Sequence, residues 1–384
     1  MRVLGLIVEY NPLHNGHVHH INESKKLVNP DVTIAVMSGH FMQRGEPACT
    51  TKWNRAKLAL DTGIDLVVEL PFAYSNQSAD IFAHGAVSIL HHLNATHLVF
   101  GSESGEIEEL TKLADIIDNQ NINKDVNKKI KEGFSLPKAL AAANPDFKGS
   151  NNTLGIQYIR AVRHLKSAMV PLTISREFAD YNDIIPTDEK VTSATAIRKM
   201  IDKGIDYSQY VPIQIEDAHI RLQNWDTHYK FLRHKLLTSQ MEDLNLIHDM
   251  VEGIEYRLVD SARTSGNWEE FVSQVKTKRY TRTRIQRICV NVLTGLTKKQ
   301  IVEWNLRKCA PYIRILGFNK TGSSYLKQIK DDVEIPVYSN FAKKSHPMMQ
   351  HEIIVTAAWC SVYQPEYITE ILKRETAGKP IMKG

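Results

Sequence analysis

The chain has 384 residues, 42% apolar and 24% charged, with 48 Lys and Arg against 43 Asp and Glu for a net charge of +5. This is the composition of a globular protein with a sizeable core, which excludes a disordered or fibrous chain, and the length suits two or three domains of ~100–200 residues. No apolar run reaches the ~18 residues of a membrane helix, Val3–Val8 is too short and wrongly flanked for a secretory signal, and Cys49, Cys289, Cys309 and Cys360 never form a C-x-x-C pair. Reduced thiols in a cytoplasmic protein are therefore expected, without a membrane span, a disulfide framework or a cysteine zinc site.

Short apolar runs rich in Val, Ile and Leu predict strands at Val3–Val8, Val32–Met37, Asp65–Glu69, His97–Phe100 and Pro171–Ser175. Helical stretches are predicted between them at His17–Val28, Lys52–Asp61, Ser78–His92, Glu106–Asn119 and Leu154–Lys166. Strand–helix alternation at this spacing predicts an α/β fold built on an open parallel, Rossmann-like sheet. Ligands of such sheets sit beyond the carboxyl ends of the strands, so chemistry is expected just after Val8, Met37, Phe100 and Ser175. Asn119–Lys131 reads as a solvated polar excursion. After a helix starting near Ser193 the alternation fades, and a boundary near Gly204 divides an α/β part, 1–203, from a mostly helical part, 204–384. In the second part Ile215–Asp260 is mostly helical, and the strand candidates Tyr312–Leu316 and Val333–Val337 are short and isolated.

The first strand leaves through Val8-Glu9-Tyr10-Asn11-Pro12-Leu13-His14-Asn15-Gly16-His17 into the first helix. Pro12 keeps the residue before it extended, Gly16 lets the backbone turn closely, and the unpaired N–H groups of the helix start attract an anion, phosphate above all. His14 and His17 can each give a charge-assisted hydrogen bond to a phosphate oxygen, one over the α-phosphorus and one on departing pyrophosphate. A metal cluster of His14, His17, His19 and His20 lacks a second ligand pair at ordinary zinc spacing. His19 and His20 read as exposed helix residues. Gly101 would let a nucleotide approach the end of the fourth strand, or would simply turn the chain. Asn151, Asn152 and Ser193 stand where helix N-caps stand, and Arg198 lies one turn into its helix.

H-x-G-H at a strand–helix junction resembles the signature of the nucleotidyltransferase superfamily. The neighbouring motifs narrow the resemblance: Glu9 to His17, then Ser38-Gly39-His40-Phe41-Met42-Gln43-Arg44-Gly45-Glu46-Pro47-Ala48, Asp65-Leu66-Val67-Val68-Glu69-Leu70-Pro71, Phe100-Gly101-Ser102-Glu103 and Asn151-Asn152-Thr153-Leu154-Gly155. Together they resemble the bacterial tRNA(Met) cytidine acetate ligase family over the whole chain. The resemblance implies an enzyme that uses ATP, with Mg²⁺ arriving on its phosphates, and acetate to form N4-acetylcytidine at the wobble position of elongator tRNA(Met). Acetate has no competent leaving group and the cytidine amine is a weak nucleophile, so activation as acetyl-adenylate is required. By the same resemblance His14 and His17 are catalytic. ATP contacts are implied at Ile7, Val8, Glu9, Tyr10, Asn11, Pro12, Leu13, His14, Asn15, Gly16, His17, Val18, His19, His20 and Gly101. They are further implied at one of Asn151 and Asn152, at Ser175 and Arg176, and at Ser193 and Arg198, where Ser193-Ala194-Thr195-Ala196-Ile197-Arg198 resembles the second superfamily signature.

The charge is segregated. Phe271–Lys330 holds fourteen basic residues against Glu303 alone, an excess of thirteen that leaves the remainder at −8. Phe271, Tyr280, Trp304, Tyr312, Phe318 and Tyr325 are interleaved with them. A block of this kind suits an RNA backbone, and Lys278, Arg279, Arg282, Arg284 and Arg287 are the candidate tRNA contacts. Ile285, Ile288, Cys289 and Val292 recur at helical spacing, which predicts Arg284, Arg287 and Asn291 on the opposite, outward face. A small-molecule nucleotidyltransferase, a non-catalytic RNA-binding protein and an aminoacyl-tRNA synthetase remain as alternatives. The last has only Ala342-Lys343-Lys344-Ser345 as a poor lysine-loop match.

Overall fold

A computed structural model describes residues 1–118, 128–129, 149–175, 192–212, 223–341 and 345–384. Five strands, β1 (Val3–Val8), β2 (Val32–Ser38), β3 (Leu66–Leu70), β4 (His97–Ser102) and β5 (Val170–Ser175), lie parallel in the order β5-β4-β1-β2-β3. All five match the apolar runs to within two residues at either end. The runs are continuous because both faces of the sheet are covered. Alternate residues feed two cores: Val3, Ile34, Val36 and Val68 face helices Ala79–His92 and Ser150–His164, while Leu4, Leu6, Ala35, Met37 and Val67 face Asn15–Val28 and Lys52–Asp61. The chain winds from β1 toward β3, then returns to the other side of β1 for β4 and β5. The switch point, and with it the crevice for a ligand, is at the carboxyl ends of β1 and β4.

Tyr312–Leu316 does not form an isolated strand. Ile313–Leu316 of it lies in β6 (Ile313–Phe318), which pairs antiparallel with β3 and carries β7 (Val337–Tyr338) and β8 (Ile381–Met382) as parallel neighbours. The sheet is thus mainly parallel with one antiparallel junction. Helices Trp225–Thr238, Ile254–Thr264, Trp268–Val275, Arg282–Thr294 and Pro347–Cys360 build a further core, in which Trp225 stacks on Trp268 at 4.1 Å and which takes in Phe41 and Phe72 from the first half of the chain.

At the β3–β6 junction lies a fully buried ionic cluster. Lys52 Nζ is 2.6 Å from Glu69 and 2.9 Å from Glu375, and Arg314 reaches Glu69 at 3.1 Å and also pairs with Glu375. Burial disfavours charge on Glu375, but Arg314 and Lys52 outweigh it and hold the carboxyl at about 2. Beside them Glu352 accepts the Phe72 amide at 2.6 Å. Burial, reinforced by the Glu69 charge, pushes its carboxyl up to about 8. The cluster ties the last long helix, Pro365–Ala377, to the centre of the nucleotide-binding sheet.

Candidate active site

The exit from β1 is rigidly built. Tyr10 takes a left-handed backbone conformation (φ 51°), and Tyr10 and Leu13 are buried in the core beneath the loop. His14 is the N-cap of helix Asn15–Val28 and forms a reciprocal capping box: its Nδ1 accepts from the Gly16 amide at 3.1 Å, and His17 Nδ1 accepts from the His14 amide at 3.3 Å. Because each Nδ1 is the acceptor, the proton of each neutral ring sits on Nε2, which makes both Nε2–H groups donors. The rings lie 3.8 Å apart with 31° between their planes, so the two imidazoles sit side by side at the helix N-terminus. His19 is exposed, and Ile7, Asn15, Val18 and His20 are half-buried. Pro12 is buried like Leu13.

Other loops converge on this one. Asn11 Oδ1 accepts from the Cys49 amide at 2.7 Å, and Glu9 Oε1 accepts from the Gln43 amide at 2.7 Å. Burial pushes the Glu9 carboxyl up, with the Gln43 amide opposing it. Arg55 clamps both loops from below through the carbonyls of Glu9, Ser38 and Gly39. From helix Ala194–Asp202, Arg198 donates to the Asn11 carbonyl at 2.6 Å and to Glu46 Oε2 at 2.8 Å, so the second signature lies directly against the first. Ser193 caps that helix, its Oγ accepting from the Ala196 amide at 3.1 Å. Glu46 is a site residue that sequence reasoning passed over. It lies within the quoted Ser38–Ala48 motif, but its partner is more than 150 positions away.

At β4 a second omission, Glu103, explains the two asparagines. Its carboxylate accepts the Asn151 and Asn152 amides at 3.0 and 2.6 Å, filling the N-terminus of helix Ser150–His164. A Cβ on Gly149 (φ 99°) would run into that carboxylate. Asn152 Oδ1 in turn accepts from the Glu103 amide at 2.9 Å, and Asn151 Nδ2 donates to Glu103 at 2.8 Å. An internal anion thus already occupies this helix terminus. Gly101 and Ser175 stand at the neighbouring ends of β4 and β5, where Gly101 pairs with Ile174 and Ser102 with Ser175. Arg176 lies outside the described residues. So do Asn119 and most of the excursion to Lys131, and Ala342, Lys343 and Lys344. Among the described residues no group of three or more His, Cys, Asp or Glu is placed to hold a metal, and no helix is long and apolar enough to cross a membrane.

The basic block lies partly on helix Arg282–Thr294, and its cations are less free than their count suggests. Arg279 pairs with Glu252, Arg282 with Glu269, Arg284 with Asp249 and Arg307 with Asp80, while Arg314 belongs to the buried cluster. Lys278 and Arg279 are exposed. Burial lowers the affinity of Arg287 for its proton, and the backbone of Arg287 packs against Gly45 (φ 73°), where a Cβ would collide. Asn291 does not face outward: it is buried, accepting from Asn76 Nδ2 at 2.8 Å and donating to the His248 carbonyl at 3.2 Å. Phe271, Tyr280, Tyr312 and Tyr325 are core residues.

An open mainly parallel sheet with a doubly donating histidine pair at its switch point is the layout of a protein that binds and cleaves a nucleoside triphosphate. The chain belongs to the HIGH nucleotidyl transferase family, whose model matches residues 1–375. Among curated proteins it is 38% identical over 400 residues to the tRNA(Met) cytidine acetate ligase of Anoxybacillus flavithermus, covering 99% of this chain and all of that one. It is 36% identical over 404 residues to the enzyme of the same name from a Geobacillus species, covering both chains in full. Among solved structures it matches Thermotoga maritima TmcAL in an apo form (TM-score 0.90, 31% identity) and bound with alpha-thio ATP (TM-score 0.88, 30% identity), each covering 100% of this chain and 99% of the other.

Proposed function

We propose that this chain is an ATP-dependent ligase that joins acetate to the wobble cytidine of elongator tRNA(Met). The observation that carries the reading is the His14–His17 capping box, which fixes two Nε2–H donors over the helix N-terminus at the sheet's switch point. An acetate oxygen attacks the α-phosphorus of ATP and pyrophosphate leaves. The cytidine N4 amine then attacks the acetyl carbon, expelling AMP and forming N4-acetylcytidine. Preorganised donors aimed at the equatorial oxygens and the leaving group supply most of the catalysis in such a step. Mg²⁺ arrives on the triphosphate with its waters, since the described residues offer no carboxylate cage. Arg198, held between Asn11 and Glu46, meets the outer phosphates, and Arg176 and Asn152 assist on the nucleotide.

Residues 1–203 carry the adenylation chemistry, and 204–384 present the tRNA, with Lys278, Arg279, Arg282, Arg284 and Arg287 against its backbone. A cytoplasmic location follows from the substrate. Lys278→Ala combined with Arg279→Ala, both exposed, weakens tRNA binding by about three- to tenfold and reduces the salt slope by about one to two, while acetate-dependent exchange of pyrophosphate into ATP continues at the wild-type rate. Filter binding at several salt concentrations, paired with the exchange assay, checks this. Equal loss of both activities contradicts the division of work.

A further inference from the structure

A groove of about 520 Å³ runs between helices Lys52–Asp61 and Pro365–Ala377. Its walls carry Lys57, Lys373 and Arg374 against a single acid, Glu370, and its aromatic surfaces are Trp53 and Tyr367. We propose that this groove binds a single-stranded segment of the RNA substrate, with phosphates on the three cations and a base against Tyr367 and the Arg374 guanidinium. The proposal rests on the ligase reading above and extends it to lining residues that are not part of the Phe271–Lys330 block.

Charge and its availability favour this occupant. The arginines of the basic block are largely engaged, Arg279, Arg282, Arg284, Arg307 and Arg314 each with an acidic partner. Among the described residues Lys57, Lys373 and Arg374 form no ion pair. Lys57 and Lys373 are exposed. Cations without a competing carboxylate release the most counterions to a polyanion.

The groove is also preorganised. Arg374 sits 4.9 Å over the Trp53 ring, which fixes the guanidinium plane, and a fixed guanidinium or tyrosine face stacks any base. Trp53 is buried in the same core as Tyr10 and Leu13 of the nucleotide loop, and its Nε1 has no hydrogen-bond partner among the described residues. One end of the groove is at Thr51, which caps helix Lys52–Asp61 and lies two residues after Cys49, whose amide holds Asn11 in the nucleotide loop. RNA lying in it therefore starts beside the edge of the sheet where acetate is activated.

The test compares wild type with Lys57→Gln/Lys373→Gln/Arg374→Gln, and with Lys57→Gln/Lys373→Gln as a variant that leaves the Trp53 contact intact. Binding of unmodified tRNA(Met) transcript is titrated from low to high salt, and acetate-dependent pyrophosphate exchange reports folding of the catalytic half. The triple variant binds about tenfold or more weakly at physiological salt, with a slope of log affinity against log salt lower by about 2. The double variant shows about two-thirds of that slope change, and both keep exchange. Wild-type tRNA affinity and slope in both variants, with the wild-type protein acetylating tRNA, overturns the groove and leaves the ligase reading standing. A wild-type protein that neither binds nor acetylates tRNA overturns both.

Discussion

His17→Ala removes acetate-dependent pyrophosphate exchange while leaving tRNA affinity within about twofold of wild type. Nδ1 of His17 closes the capping box on the His14 amide, and its Nε2–H is one of two donors at the phosphate site. Loss of a cap costs about 1 kcal/mol of local stability, which a chain of this size tolerates, whereas loss of one preorganised transition-state donor costs about 10²–10³ in rate. The ring contact with His14 at 3.8 Å is lost as well, so His14 no longer has a wall to hold its plane, and the effect exceeds that of a single donor. His17→Asn separates the two roles. Its amide can accept from the His14 backbone and still present an N–H, so it regains part of the exchange rate, while circular dichroism and melting stay close to wild type in both variants. A purely structural role would leave both variants with exchange rates that follow their stability.

The second large effect is on folding. Glu375→Ala leaves Lys52 and Arg314 buried with only Glu69 as counter-charge, and removing one partner of a buried ion network costs about 3–5 kcal/mol. Urea unfolding of the variant shifts to a markedly lower midpoint. The cluster also sets a pH signature. The Glu375 carboxyl is depressed to about 2, so its contribution is present above the ordinary carboxylate range near 4.5 and is lost as pH falls from there toward 2. Glu352 is raised to about 8, so the stability associated with it is present below about 4.5 and declines as pH rises toward 8. The groups facing Glu352 are Glu69, Lys52 and Glu375, with Arg314 and Tyr312 alongside. Glu352→Gln keeps an acceptor for the Phe72 amide and cannot ionise. Between pH 5 and 8 its urea midpoint therefore gains steadily on that of the wild type, and a constant difference between the two would show that Glu352 is ionised throughout.

The first half of the fold was legible because its signal is local. Buried parallel strands read as unbroken apolar runs, and the helix starts carry their own caps. The His14–His17 site was legible for the same reason, since both partners of the capping box lie within four residues. What escaped was set by distant pairing. Arg314 reads as one more cation of a basic block, yet its partners Glu69 and Glu375 are 245 and 61 positions away. Tyr312–Leu316 reads as an isolated strand because no local pattern announces an antiparallel return to β3. Asn291 falls on the polar side of its helix by periodicity, but Asn76 and the His248 carbonyl satisfy its amide inside the protein, so a polar residue is buried without penalty. Glu46 and Glu103 lie within quoted motifs, but nothing near them in sequence names their partners. Their roles appear only when the loops after β1, β2 and β4 are brought together.

The central claim is that one chain activates acetate at the histidine pair and delivers it to RNA. Incubation of the purified protein with ¹⁴C-acetate, ATP, Mg²⁺ and total tRNA, followed by nuclease digestion and nucleoside chromatography, tests it most directly. Label in N4-acetylcytidine from a single tRNA, absent without ATP and absent with His17→Ala, is the predicted result. Label that stays in a small acyl-nucleotide and never reaches a nucleoside of the digest would contradict it.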